Sequence, residues 1–327
     1  MHGRAVACSL SAVASLPPSR TSLPAGWWGR GRHAAPRPRS IAELVRDRVL
    51  DAELAALLWL LLEARLPILV AGAPGSGRTT LLTALLDLLP PDARRIPLAG
   101  AVEDFEWLPE APELGWRREH STARRTAARP QAPVSRAATV LLVSELGDLP
   151  PNGTWGAQAR VALRAVAIGY GMAATMAAER LETVFERLKA APVGADDDEL
   201  SRLGLVLVVR ALEDAAPAAG AASEAPRRIV AAHYVRPVVR DAHGHVQRMA
   251  PAVLAAHDPK TDRFEHFAWG IVAELAERTG RRAVDFEREQ ARRAQYLAGL
   301  AGAGIVAPKD VRTALLGYRG AGDRSAG

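Results

Sequence analysis

Apolar positions recur at helical spacing from Ser40 to about Arg65, then close into a short continuous run, Leu66-Pro67-Ile68-Leu69-Val70-Ala71. Ser40 followed by Glu43 has the spacing of a capping box and opens the helical stretch. The run that follows is too short for a helix and reads as a buried strand. Helical spacing returns from Thr79 to Leu89 and is stopped by Pro90-Pro91. Ala138 to Val143 is a second apolar strand, closing on Ser144-Glu145, and Leu203 to Val209 is a third. Helices are expected near 155–168 and 178–190. Arg228 to Val239 and Val246 to Ala256, joined through Asp241-Ala242-His243-Gly244-His245, predict a hairpin. The chain from 270 to 318 looks helical, with a break at Gly302 to Pro308. Strands alternating with helices imply an α/β fold with a central, mostly parallel sheet covered on both faces and a C-terminal helical region.

Between these elements the texture changes. Residues 1–39 are rich in Arg, Pro, Ser, Gly and Ala without apolar periodicity, so they are expected to stay disordered. One domain is expected over 40–269, interrupted by low-complexity insertions near 109–137 and 215–225, with the helical region at 270–320. The chain of 327 residues is long enough to bury a sizeable core. Its longest apolar run, Leu54 to Leu62, is far too short to span a bilayer. The one cysteine, Cys8, cannot form an internal disulfide, which fits a reducing cytoplasm. Net charge is +6, carried almost wholly by arginine; the lysines are Lys189, Lys260 and Lys309. That bias runs the length of the chain, so it reads as a solvated basic surface rather than a nucleic-acid groove, and no specific nucleic acid is expected. His243 and His245, two apart beside Asp241, read as turn residues and not as metal ligands.

The chemistry is concentrated at Gly72-Ala73-Pro74-Gly75-Ser76-Gly77-Arg78-Thr79, followed by Thr80. Glycine, four residues, glycine, a basic residue and threonine, set between a predicted strand and a predicted helix, is the spacing of a phosphate-binding loop. Gly72, Gly75 and Gly77 let backbone N–H groups turn inward around phosphate oxygens. The helix behind them offers its positive end to the same anion. Thr79 is placed to ligate magnesium through its hydroxyl. The expectation is a RecA-like P-loop NTPase fold using ATP and magnesium. Arg78 stands where a lysine is usual, and a planar fork does not reach phosphates as a point charge on a flexible stem does. Two acidic patches follow at strand ends, Val102-Glu103-Asp104-Phe105-Glu106 and Val143-Ser144-Glu145. Carboxylates there can hold magnesium or orient an attacking water. Glu145 and Glu103 are the candidate catalytic groups, and Asp104 joins Thr79 as a candidate magnesium ligand.

In order along the chain, Leu62 to Leu82, the acidic box at 102–106, Leu142 to Leu146, Arg164 to Leu188, and the helices around Arg293 to Leu300 resemble the secretion ATPase superfamily of type II and type IV secretion and type IV pili. The resemblance spans about residues 41–320. It implies a motor subunit that hydrolyses ATP, a homo-oligomer closing into a hexameric ring, and cytoplasmic residence at the inner face of a membrane. There it would dock on an inner-membrane secretion or pilus platform protein. It also implies that Gly72 to Thr80 bind ATP and that Glu145 is the catalytic glutamate.

Several positions depart from the family. Besides Arg78, the histidine box carries Tyr170 and Ala177 where histidines are usual, and only Arg136 remains of the arginines before the Glu145 strand. The N-terminal domain that usually closes over the nucleotide has no counterpart in residues 1–39. Two rival functions follow: a catalytically impaired paralogue that binds nucleotide for assembly or regulation, and a nucleic-acid-binding NTPase suggested by the net positive charge.

Overall fold

The computed structural model describes residues 37–117, 135–149, 153–212, 225–240, 243, 246–247 and 249–325. The expectations for residues 1–36, for most of the two insertions (118–134 and 213–224) and for Asp241, Ala242, Gly244 and His245 lie outside these residues.

Short capped helices come first. Ser40 accepts from Glu43 N at 3.0 Å and starts α1, Ile41–Arg46, while Asp51 accepts from Leu54 N at 2.9 Å and starts α2, Ala52–Glu63. Only half of the capping box forms, because the Glu43 carboxylate pairs with Arg37 and Arg39 instead of turning back to Ser40. Every residue of α2 from Leu54 to Leu62 is buried. A helix apolar on all sides has to be enclosed, and α2 lies inside the molecule.

The strand β1, Ile68–Gly72, leads through residues 73–77 into α3, Arg78–Leu86. The remaining elements of the parallel half are β2 (Arg94–Pro97), β3 (Thr139–Leu146), β4 (Gly153–Thr154), α4 (Ala157–Ala167), β5 (Gly171–Ala177), α5 (Leu181–Lys189), α6 (Asp197–Leu200) and β6 (Leu205–Ala211). Next come β7 (Arg227–Tyr234), the small β8–β9 ribbon (Val239–Arg240 with Val246–Gln247), β10 (Ala252–Asp258) and β11 (Arg263–His266). The C-terminal helices are α7 (Val272–Arg278), α8 (Ala283–Gly302) and α9 (Pro308–Ser325). The expected break between 302 and 308 separates the last two.

Among the described residues the main sheet runs β11-β10-β7-β6-β1-β5-β3-β2, with β4 beside β3. From β6 to β2 every pairing is parallel; β7, β10 and β11 extend the sheet antiparallel. The protein is therefore mixed α/β with a large, mostly parallel central sheet. Alternation along the strands divides the core in two. Ile68 and Val70 face one layer with Val140, Leu142, Leu205 and Leu207, under α2, α3 and the C-terminal helices. Leu69 and Ala71 face the other with Leu141, Val143 and Val206, under α4 and α5. Phe286, Leu297, Val311 and Leu315 belong to the first layer, so the C-terminal helices share the core of the sheet.

Two stretches differ from the sequence reading. β5 is a central strand where no strand is predicted. Residues 109–117, read as the start of a surface insertion, bury Ala111, Leu114 and Trp116, with Trp116 edge-on to Phe105 at 5.1 Å. Aromatic packing on the second core layer holds them there despite their Pro- and Glu-rich composition. No helix among the described residues is long and apolar enough to cross a membrane.

Candidate functional site

Because five neighbouring strands run parallel, their carboxyl ends meet at one edge of the sheet. Gly72, Leu146, Ala177 and Ala211 all end there. The chain leaves β1 at Gly72, where an added Cβ would collide with the Val209 carbonyl and sit 2.5 Å from Ser76 Oγ. It then turns through Ala73 and Pro74 to Gly75 (φ +84°) and Gly77 (φ +94°). Both glycines occupy left-handed backbone that L-residues adopt at a cost. Gly77 begins α3 with no side-chain cap. Among the described residues the first amides of α3 therefore have neither intrahelical nor side-chain acceptors, and they present partial positive charge to the loop. The Ser76 hydroxyl is buried and has no hydrogen-bond partner among the described residues. Open amides, left-handed glycines and an orphaned hydroxyl in one turn fit a phosphate group.

Arg78, the first residue of α3, reaches back toward the sheet. Its Nη1 donates to both Glu145 carboxylate oxygens, at 2.7 and 2.9 Å, with the two side chains 13% and 18% exposed. β5 lies between β1 and β3, and its Thr175 hydroxyl sits 2.8 Å from Glu145 Oε2 and 2.5 Å from the Ser144 carbonyl. The β3–β5 pairing shifts register between Val143 and Leu146, so Ser144 and Glu145 occupy the irregular step. Both oxygens of Glu145 are thus held.

Other cations ring the loop. Arg227 on β7 lies over Gly77, its Cδ 2.7 Å from the place an added Cβ would take. Arg180 and Arg210 line an open cleft of 460 Å³ with Ala73, Pro74, Ala177 and Ala178. Ala177 therefore sits at the site, while Tyr170 is buried and donates to Glu110 Oε2 at 3.2 Å. Arg136 pairs with the same Glu110 at 2.8 Å.

Glu103 has a different setting. Its carboxylate accepts from Ala99 N at 2.7 Å, Phe105 N at 2.9 Å and Trp107 Nε1 at 3.1 Å, which stitches residues 99–107 into a closed loop. Burial raises its pKa, and these three donors only partly offset that. Asp104 accepts from Glu106 N at 3.1 Å. Neither carboxylate bonds to residues 72–80 among the described residues. Thr79 and Thr80 are half-buried in the first turn of α3, and no cluster of three or more His, Cys, Asp or Glu side chains suited to a metal occurs among the described residues.

Sequence reasoning named Arg78 and Glu145 but missed Thr175, Arg180, Arg210 and Arg227. A signal existed for Thr175, the one polar residue in the run Gly171–Ala177. The arginines are hidden by a chain that is arginine-rich throughout.

No protein-family model matches the chain. It is 26% identical over 168 residues to uncharacterized protein MJ1287 of Methanocaldococcus jannaschii, covering 50% of this chain and 59% of that protein. It is 26% identical over 176 residues to uncharacterized protein MJ0900 of the same organism, covering 52% of this chain and 30% of that one. The chain thus spans less than two thirds of the length of either relative. Among solved structures, the VirB11 ATPase of the Brucella suis type IV secretion system, crystallised with sulphate, is similar at a TM-score of 0.35 and 19% identity, over 62% of this chain and 65% of that one. The α/β architecture rests on the strand order given above and not on that likeness.

Proposed function

We propose that the chain is a P-loop nucleotide-binding protein of RecA-like fold that holds ATP at residues 72–80. The observation that carries this is the turn between β1 and α3, with left-handed Gly75 and Gly77, an uncapped helix start and a buried Ser76 hydroxyl that has no partner among the described residues. Backbone amides of Gly75 and of Gly77 to Thr80 bind phosphate oxygens, while the Ser76 amide donates to the Ala73 carbonyl at 3.1 Å. The Ser76 hydroxyl donates to one of them, and Arg180 and Arg210 add charge at the mouth of the cleft. Magnesium, bound with the nucleotide, neutralises charge between the terminal phosphates. Thr79 is its first candidate ligand, with Asp104 behind it.

In a turnover-competent subunit, Glu145 orients the water that attacks the terminal phosphate. Glu103 supports it indirectly, by fixing the loop that follows β2. Such a subunit fits the motor of a type II or type IV secretion or type IV pilus machine, as a homo-oligomeric ring on the cytoplasmic face of an inner-membrane platform. In that scheme residues 40–269 are the nucleotide-binding domain, and 270–320 a helical region packed onto it.

A second role is favoured by one contact. Arg78 bonds to both oxygens of Glu145 and Thr175 to one, so the carboxylate is held by its neighbours and Arg78 Nη1 is turned to it and away from phosphate. Slow or absent hydrolysis follows unless nucleotide separates the pair, which is the behaviour of a regulatory or assembly paralogue.

Calorimetry with ATP and magnesium, paired with a steady-state ATPase assay, tests both. Binding lost in Gly77→Asp supports the loop as the site; no association heat at millimolar ATP sinks the proposal. Hydrolysis by the unmodified chain that Glu145→Gln abolishes selects the motor. Binding without hydrolysis selects the paralogue. Tight, steeply salt-dependent DNA binding would instead favour a nucleic-acid NTPase.

A further inference from the structure

A groove of 960 Å³ opens between β2 and α9 and shares no lining residue with the cleft at Ala73 and Pro74. Its walls follow from the pattern of α9. Val311, Leu315 and Tyr318, spaced four and three apart, turn into the core. Lys309, Arg312, Leu316 and Arg319, spaced three, four and three, form the neighbouring stripe, about 100° round the helix, and line the groove. The other wall is β2, which pairs with β3 on one side and is the edge of the sheet among the described residues. An edge strand offers unpaired main-chain groups to a second chain.

The charges do not balance within the groove. Arg95, Lys309 and Arg312 line it against one carboxylate among the described lining residues, Asp87. Arg312 Nη1 stands 3.6 Å from Asp87 Oδ2, and Arg319 is drawn away to Glu63 at 2.9 Å. Arg95 donates to the Leu86 carbonyl at 2.8 Å. Burial pulls its pKa below the ordinary value, the nearby Arg312 and Arg319 act in the same direction, and Asp87 opposes them. An incoming carboxylate relieves that repulsion. Between the cations lie apolar surfaces, with Leu316 48% exposed and Trp107 half-buried.

We propose that this groove binds an acidic, leucine-bearing segment of a partner protein. Its carboxylates face Arg95 and Arg312, its apolar side chains cover Leu316 and Trp107, and its backbone runs along the outer side of β2. Charge complementarity selects the occupant, and the apolar stripe separates a peptide from a nucleic acid, whose sugar–phosphate chain gains nothing from Leu316.

The test uses the full chain and a fluorescein-labelled eight-residue peptide of alternating glutamate and leucine, read by fluorescence polarisation. Binding in the micromolar range is expected, weakened roughly tenfold by Arg312→Glu and by Leu316→Asp, with Arg312→Lys within about threefold of wild type. Each variant must keep the wild-type thermal midpoint. Leu316 and Arg312 are both outside the sheet, so at least one variant is expected to qualify. Equal affinity for a lysine–leucine peptide would overturn the proposal. So would displacement of the peptide by a lower concentration of single-stranded oligonucleotide, or no polarisation change up to about millimolar protein.

Discussion

The nucleotide proposed for residues 72–80 would compete with the ion pair between Arg78 and Glu145, and the competition can be measured. Arg78 Nη1 lies 2.7 and 2.9 Å from the two carboxylate oxygens, in a setting where both side chains are more than four-fifths buried. Hydrogen bonds between charged partners contribute about 1.5–3 kcal/mol, roughly twice a neutral contact. Glu145→Gln keeps the shape and an acceptor for Thr175 but halves that hold, releasing about 1–2 kcal/mol toward phosphate. ADP should therefore bind about 5- to 30-fold more tightly to Glu145→Gln. Calorimetry with ADP is the assay, because no terminal phosphate is present to be hydrolysed. Removing a carboxylate near a phosphate also relieves plain repulsion, so the same change is made in an Arg78→Gln background. If the ion pair is the competitor, the gain there shrinks to under about twofold. An equal gain in both backgrounds, or none in either, would refute the reasoning.

Three further outcomes are expected. Gly75→Ala meets open space and Gly77→Ala meets only the flexible Arg227 side chain, so each should cost about 1 kcal/mol from its left-handed backbone; an unchanged urea midpoint in either would contradict this. Arg293 is buried, pairs with Glu63 at 2.5 Å and Glu289 at 2.8 Å, and lies 4.5 Å from the centre of the Trp59 ring. Arg293→Ala should cost about 3–5 kcal/mol in one cooperative transition, and a loss under about 1 kcal/mol would show that α8 is not fastened to α2 through it. His266 is the pH-sensitive case. Burial works against its charged ring, but Asp51 at 2.8 Å and the nearby Glu53 outweigh burial and raise its pKa above the ordinary 6.5. A raised folded pKa stabilises fully below about pH 6.5 and is lost as pH climbs through the folded value. The advantage of wild type over His266→Gln should thus be greatest near pH 5.5 and fade by pH 8.5. Half-buried His233, whose pKa is lowered by desolvation, acts in the opposite direction and cancels in that comparison. An advantage that grows with pH would reverse the assignment.

Much of the molecule was legible because its signals are local. The apolar runs at 66–71, 138–143 and 203–209 and the stop between 302 and 308 each depend on neighbouring residues alone, and strands form at 68–72, 139–146 and 205–211, within a few residues of those runs. The antiparallel edge was only partly legible. Arg263-Phe264-Glu265-His266 gives no apolar run, and it becomes β11 through pairing with β10.

What only the tertiary structure decided is where weak or distant signals end up. Gly171-Met172-Ala173-Ala174-Thr175-Met176-Ala177 has little strand propensity, yet it is a central strand because β1 and β3 supply ladders on both sides and its small side chains fit between two covered faces. Arg78 and Glu145 are 67 positions apart. Their types announce phosphate and water chemistry, but the sequence holds no hint that they neutralise each other. That depends on β5 lying between their strands, on a register shift beside Glu145, and on Thr175 facing it. Long-range electrostatics of this kind is set by distance in space, which periodicity along a chain does not encode.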